Sequence, residues 1–201
     1  MNLCTALALL CFLQVAVPGP ALENEFVRIT RDEAPCAEAG PGCGDRVVVA
    51  MGDVSLNESK MHRGDIKVFK AGQRYTAPTD GEFLEVSIKP SHPKVAPLPP
   101  GTPAPPGNKV LYNSLDFTVF AEKMTPGEIS SVHSHNLRVA IFLNRTQVEQ
   151  WENITAPPNG KGNVRELVPD TVMWRPAVIH VSKDVGMVPI NNLLIEFNPS
   201  K

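Results

Sequence analysis

The sequence predicts an all-β protein, and three observations support this prediction. Short apolar runs at residues 46–50, 65–69, 83–88 and 139–143 alternate with Gly, Pro, Asn and Asp, which is the pattern of strands and turns. Helical periodicity is hard to find after residue 21. The 20 prolines concentrate between the apolar runs, where they do not interrupt a strand ladder. We therefore expect short strands joined by turns along the whole chain after its first segment.

The first segment has the layout of a secretory signal. An apolar run ends at the helix breakers Pro18, Gly19 and Pro20 and is followed by Ala21, as in a signal peptide with a small-residue cleavage site. The run is shorter than the roughly 20 apolar residues of a membrane span. We predict that residues 1–21 are a signal peptide, that the protein is secreted or periplasmic, and that it does not contact a membrane after cleavage. A lipoprotein anchor at Cys11 is the weaker alternative.

Two cysteines remain after residue 21. Cys36 and Cys43 are separated by six residues, and in an oxidising compartment such a pair normally closes a small loop. Half of a metal site is the alternative, but no His or third Cys lies nearby in the sequence. We predict a disulfide.

The next element is a proline-rich linker at residues 91–108, which separates residues 22–90 from residues 109–201. The two flanking segments resemble each other. The run that starts at Arg46 matches the run that starts at Arg138, and further along Phe69 falls on Trp174 and Tyr75 on His180. Two β-rich stretches can look alike by chance, but both blocks agree in order, which favours a duplication.

Charge and composition exclude some classes of function. The chain has 201 residues, 42% of them apolar, which is enough for a sizeable core. It has 19 basic and 21 acidic residues, and no basic cluster is interleaved with aromatic residues. Nucleic acid is therefore not an expected partner. The sequence also lacks a phosphate-binding loop and a dinucleotide-binding fingerprint.

The residues with the clearest chemistry are three histidines. His133 and His135 stand two apart, so in a strand both imidazoles point to the same face. His180, on a later apolar segment, would supply a third nitrogen ligand from a neighbouring strand. Any one of these residues alone is more often a hydrogen-bonded imidazole than a ligand. Together they predict a metal site.

At these residues the sequence resembles the cupin family. Gly127, His133 and His135 match the start of the first cupin motif, and Trp174, Pro176 and His180 match the second. The resemblance implies a double-stranded β-barrel, or jelly roll, in two tandem cupin-like halves, of which the first is degenerate. It further implies one divalent metal ion (Fe, Mn, Zn, Ni or Cu) held by three His and a Glu, and a homodimer.

One position departs from the family pattern. The family's Glu should stand where this sequence has Val139 or Ala140. Two explanations remain open: a three-His centre, as in the thiol and diketone dioxygenase branches of the cupins, or a barrel that has weakened or lost its metal.

The function predicted from these observations is an exported cupin-domain protein that binds a divalent metal and a small-molecule ligand, with dioxygenase- or isomerase-like activity. The alternative is a non-catalytic module that binds a small molecule or carbohydrate, or a structural module. Arg138 and Arg175 could clamp a substrate carboxylate, although we favour positions on the outward face. Trp174 could stack on a substrate ring, although packing is the favoured role.

Overall fold

The computed structural model describes residues 20–99 and 108–200, and within these ranges every regular element is a strand. The all-β prediction is confirmed. Residues 1–19 of the predicted signal peptide and residues 100–107 of the predicted linker lie outside the described residues. The strands are β1 (Leu22–Glu23), β2 (Val27–Arg31), β3 (Arg46–Ala50), β4 (Val54–Leu56), β5 (Ser59–Met61), β6 (Ile66–Phe69), β7 (Phe83–Ile88), β8 (Lys109–Asn113), β9 (Phe117–Met124), β10 (His133–His135), β11 (Arg138–Phe142), β12 (Thr146–Glu152), β13 (Asn163–Leu167), β14 (Val172–Arg175), β15 (Val178–Asp184) and β16 (Ile190–Phe197).

Both halves contain the same five-stranded antiparallel sheet. In the first half the order is β1-β2-β7-β3-β6, and in the second it is β8-β9-β16-β11-β14. A hairpin, β4-β5, completes the first half, whereas a four-stranded sheet, β10-β15-β12-β13, faces the larger sheet in the second. The equivalent strand orders support the predicted duplication.

Two buried arginines make equivalent contacts in the two halves. Arg46 begins β3 and Arg138 begins β11, and each is less than 5% exposed. Nη1 of each side chain donates to two backbone carbonyls, one of them two residues earlier in the chain (Gly44 and Lys70 for Arg46; Asn136 and Pro176 for Arg138). These equivalent hydrogen bonds define which residues of the two halves correspond. In that register Val68, not Phe69, matches Trp174, so the predicted alignment was wrong there by one residue.

The two large sheets pack against each other through a shared core. Every residue of β3 and β11 is buried, because one face of each strand lines its own barrel and the other contacts the opposite half. Val49 and Ile141 are fully buried in this shared core, which also contains Phe26, Phe117 and Phe197. The halves therefore bury apolar surface against each other.

The first half is closed by the predicted disulfide between Cys36 and Cys43, with an S–S distance of 2.00 Å. The loop it closes is anchored to the barrel, because the backbone N of Cys36 donates to Glu85 Oε1 at 3.1 Å. Within residues 20–99 and 108–200, the structure contains no helix with the length and apolarity that a membrane span requires.

Candidate metal centre

The three predicted ligands come together on two paired strands. His133 and His135 lie on β10, and His133 is directly opposite His180 of β15 in the antiparallel ladder. Because directly opposed residues point to the same face, all three imidazoles enter the second barrel. Their nearest ligand atoms lie within 4.8 Å of one another, and none of the three residues is more than 3% exposed. The structure thus places the predicted residues in one buried cluster.

Hydrogen bonds orient two of the rings. His133 Nδ1 lies 2.9 Å from the carbonyl oxygen of Ser131, and His135 Nδ1 lies 2.8 Å from Glu196 Oε2. Both partners are acceptors, so each Nδ1 carries the proton and each Nε2 keeps its lone pair. Metal-binding histidines commonly show this arrangement, with an acceptor on the second ring nitrogen.

Unpaired nitrogen atoms show that the cluster fits a metal ion. Nε2 of His135 and Nε2 of His180 are buried and have no hydrogen-bond partner. Buried polar atoms are almost always paired, and a divalent ion bound to both nitrogens would satisfy them. The donor set, three imidazoles, suits the first-row divalent metals.

Gln150 approaches the third ring. Its Nε2 donates to Ser182 Oγ at 2.8 Å and lies 3.5 Å from His180 Nδ1, while its Oε1 is buried without a partner. If the amide turns by 180°, Oε1 can accept from both the Ser182 hydroxyl and His180 Nδ1–H. That orientation would leave His180 Nε2 free for a metal, as in the other two rings.

The surroundings keep two of the rings neutral. Burial lowers the pKa of His133, and the neighbouring His135 adds to this effect. Burial also lowers the pKa of His180 to about 2, with further contributions from the two other histidines and from Arg138. Neutral imidazole is the form that binds a metal, so these ligands need not lose a proton at physiological pH.

Glu196 is a site residue that the sequence prediction missed. Its second oxygen, Oε1, accepts from the backbone N of Asn136 at 3.0 Å, so the carboxylate bridges His135 and the following residue. Glu196 lies on β16 and is 7% exposed. The available signal was the polar pair Asn192 and Glu196, which stand four apart and therefore share a face in a strand that is apolar apart from these two residues and Asn191.

The position of the family's Glu is occupied by an apolar residue. Ala140 lines the cavity inside the barrel, whereas Val139 belongs to the shared core. The β11 strand therefore supplies no carboxylate to the cluster.

The cavity beside the histidines has a volume of about 40 Å³. Its polar lining consists of the two histidines with unpaired Nε2 atoms (His135 and His180), three arginines (Arg138, Arg165 and Arg175) and four other residues (Glu122, Gln150, Ser182 and Asn192). His133 borders a second pocket of about 150 Å³, to which Glu122 also contributes. The two pockets share the lining residues Glu122 and Met124.

The prediction that Arg138 and Arg175 lie on the outward face of the barrel was wrong. Arg138 is 4% exposed and points into the barrel with Ala140, because alternate residues of β11 share a face. Burial lowers the pKa of Arg138 to about 10, and Arg175 lies directly opposite it on β14. Both arginines are therefore placed for the carboxylate contact that the sequence left open.

Trp174 does not line that cavity. It follows the opposite face of β14 and stacks on Phe26, with ring centroids 5.0 Å apart, inside the shared core. A substrate contact of Trp174 beside the histidines is therefore excluded by its position, and its favoured role in packing is confirmed.

A solved structure shares this architecture across most of both chains. A cupin 2 conserved barrel domain protein from Leptotrichia buccalis matches 88% of this chain and 86% of its own, with a TM-score of 0.53 and 16% sequence identity. This chain has the cupin fold. At such low identity the similarity to that cupin shows the fold alone.

Weaker similarities were also found. AerE from Microcystis aeruginosa matches 90% of this chain and 97% of its own, at 13% identity and a TM-score of 0.45. A cupin domain from Bordetella pertussis Tohama I matches 48% of this chain and 96% of its own, at 15% identity and a TM-score of 0.40. No family model matches the sequence, and no curated protein matches it.

Proposed function

We propose that this cupin binds one divalent first-row metal ion (Fe, Mn, Zn, Ni or Cu) through Nε2 of His133, His135 and His180 and acts on a small molecule in the adjoining cavity. The observation that carries the proposal is the pair of buried, unpartnered Nε2 atoms on His135 and His180. A bound ion would supply Lewis-acid or redox chemistry with coordination positions left open.

The residues around the cluster have defined roles in this proposal. Glu196 holds the His135 ring through Nδ1, and the Ser131 carbonyl does the same for His133. Apolar side chains, including Ala140, Phe142 and Leu194, line the cavity and limit the access of water. We expect a site of this size to suit a dioxygenase- or isomerase-like reaction on a small substrate.

The alanine at the position of the family's Glu favours one other candidate, a non-catalytic cupin that binds a small molecule or carbohydrate, or has a structural role. His133→Ala distinguishes the two. A metal-dependent enzyme would lose activity with this change while remaining folded, whereas a binding or structural module would keep its affinity for its ligand or partner.

We further propose that the protein is exported to the cell exterior or periplasm, that it has no membrane contact after cleavage, and that it acts there as a homodimer. The Cys36–Cys43 disulfide supports an oxidising compartment. The first 21 residues have the signal-peptide pattern. N-terminal sequencing of the exported protein tests the cleavage near Ala21, and sedimentation tests the dimer.

The first experiment is a measurement of metal content by mass spectrometry on mature protein purified without an affinity tag. We expect about one metal ion per chain in the parent, and loss of that metal in His135→Ala and His180→Ala, because each change removes one of three ligands. His62→Ala is the matched control, since His62 is exposed and pairs with Asp53. A folded parent without metal would exclude the proposed centre.

A further inference from the structure

The cavity beside the histidines concentrates positive charge. Arg138 and Arg175 lie directly opposite each other on the inward face of β11 and β14, where like charges repel. Arg165 enters the same cavity from β13, because it lies opposite the inward-facing Val148 of β12. Three guanidinium groups therefore surround one small space.

Three carboxylates balance these charges in the metal-free protein. Arg175 Nη2 donates to Glu152 Oε1 at 3.1 Å, and the charges of Glu122 and Glu196 act on Arg138. The histidines add no charge while they are neutral. A divalent ion would add two positive charges, and three imidazoles would neutralise neither of them.

Several unpaired polar atoms belong to residues that line the same space. Among the described residues, eight buried side-chain nitrogen or oxygen atoms lack a hydrogen-bond partner, and five of them belong to residues that line this cavity. One is Arg165 Nε, a charged donor. Leaving such a donor unpaired is costly, and a guanidinium group matches the two oxygens of a carboxylate.

The volume limits what can bind. About 40 Å³ is room for roughly three water molecules, so a sugar ring does not fit without rearrangement. A neutral ligand would also leave the added charge of the metal uncompensated.

We propose that the cavity binds the carboxylate group of a small organic acid, with Arg165 as its main hydrogen-bond donor and Arg138 and Arg175 as supporting charges. The proposal rests on the proposed metal function, because the metal supplies the charge that the carboxylate neutralises. It narrows the substrate or ligand class of the site to small carboxylic acid anions.

The test is calorimetric titration of metal-loaded protein with acetate and, separately, with acetamide, which has nearly the same shape but no charge. We expect acetate to bind and acetamide not to bind. Arg165→Gln should weaken acetate binding about tenfold or more, because it removes a charged hydrogen bond. Arg165→Lys, which keeps the charge but not the fork, should fall between the two.

Arg74→Gln is the matched control, since Arg74 is exposed and forms an exposed ion pair with Glu38 at 3.9 Å. This variant should bind acetate like the parent. Metal content is measured on every sample. If metal is present, any of three results refutes the carboxylate site and leaves the metal centre standing. These results are that acetate fails to bind across the millimolar range, that acetamide binds equally well, or that Arg165→Gln does not change acetate binding. If the parent contains no metal, the proposed function fails, and the same Arg165 comparison on metal-free protein decides the carboxylate site.

Discussion

Replacing Glu196 with Gln should weaken metal binding while leaving the barrel folded. In the parent, the carboxylate accepts from His135 Nδ1 at 2.8 Å and from Asn136 N at 3.0 Å. Gln has nearly the same shape but only one acceptor oxygen. One of the two donors must then face the amide NH2 group.

If that donor is His135, the ring must change its tautomer. Nδ1 would accept from the amide, and the proton would move to Nε2, the atom we assign to the metal. We expect metal affinity to fall about 10- to 100-fold, as for other losses of a hydrogen-bond partner to a metal-binding histidine. The free energy of unfolding of the metal-free protein should fall by about 1–3 kcal/mol, because one buried hydrogen bond to a charged group is lost.

The assay is a titration of metal-free protein with Zn²⁺ in competition with a chromophoric chelator, together with urea unfolding of the same samples. Glu166→Gln is the matched control, because Glu166 is an exposed carboxylate whose partner, Arg145, is also exposed; its effect on stability should be below about 1 kcal/mol. If the Zn²⁺ affinity of folded Glu196→Gln protein equals that of the parent, Glu196 does not orient His135 for the metal.

Three further changes test other parts of the structure. Ala140→Glu places a carboxylate at the position of the family's Glu, and should tighten Zn²⁺ binding and abolish acetate binding by filling the cavity; unchanged titrations would show that residue 140 does not face the cluster. The double change Cys36→Ser and Cys43→Ser opens the short loop and should lower the free energy of unfolding in urea by about 2.5 kcal/mol. Metal content should not change, because the loop belongs to the first half and the histidines to the second; loss of metal would contradict this expectation. Ile141→Ala should cost about 2–5 kcal/mol, with one unfolding transition for both halves, whereas two transitions would contradict a shared core.

The histidine cluster could be predicted because much of its geometry is local. His133 and His135 share a face in any strand, and the spacing of the cupin motifs then points to His180. Glu196 could not be assigned in this way, since it lies 61 residues from His135 and only the sheet brings the two together. Its contact depends on the order β11-β16 in the sheet, which periodicity alone does not specify.

The orientation of Arg138 could not be predicted for a different reason. A strand with one face in solvent alternates polar and apolar residues, and that alternation identifies the inward face. Here both faces of β11 are buried, so the apolar residues after Arg138 do not distinguish the barrel interior from the shared core. The arginine is then mistaken for a surface residue, because buried arginines are rare. Trp174 presented the same problem on β14, where one face enters the barrel and the other meets the first half.

Comparison of the two halves shows why only one of them is expected to hold a metal. In the first barrel the Tyr75 hydroxyl donates to Glu85, which also accepts from Ser87 Oγ. Burial and the contact with Glu85 raise the pKa of Tyr75, so the phenol stays protonated and the pair satisfies itself. In the second barrel, Leu194 of β16 stands opposite Ala140 as Glu85 of β7 stands opposite Val48, and no carboxylate is available there to pair with the ring of His180. Its Nε2, like that of His135, is left buried and unpaired, and a metal ion can satisfy both atoms at once.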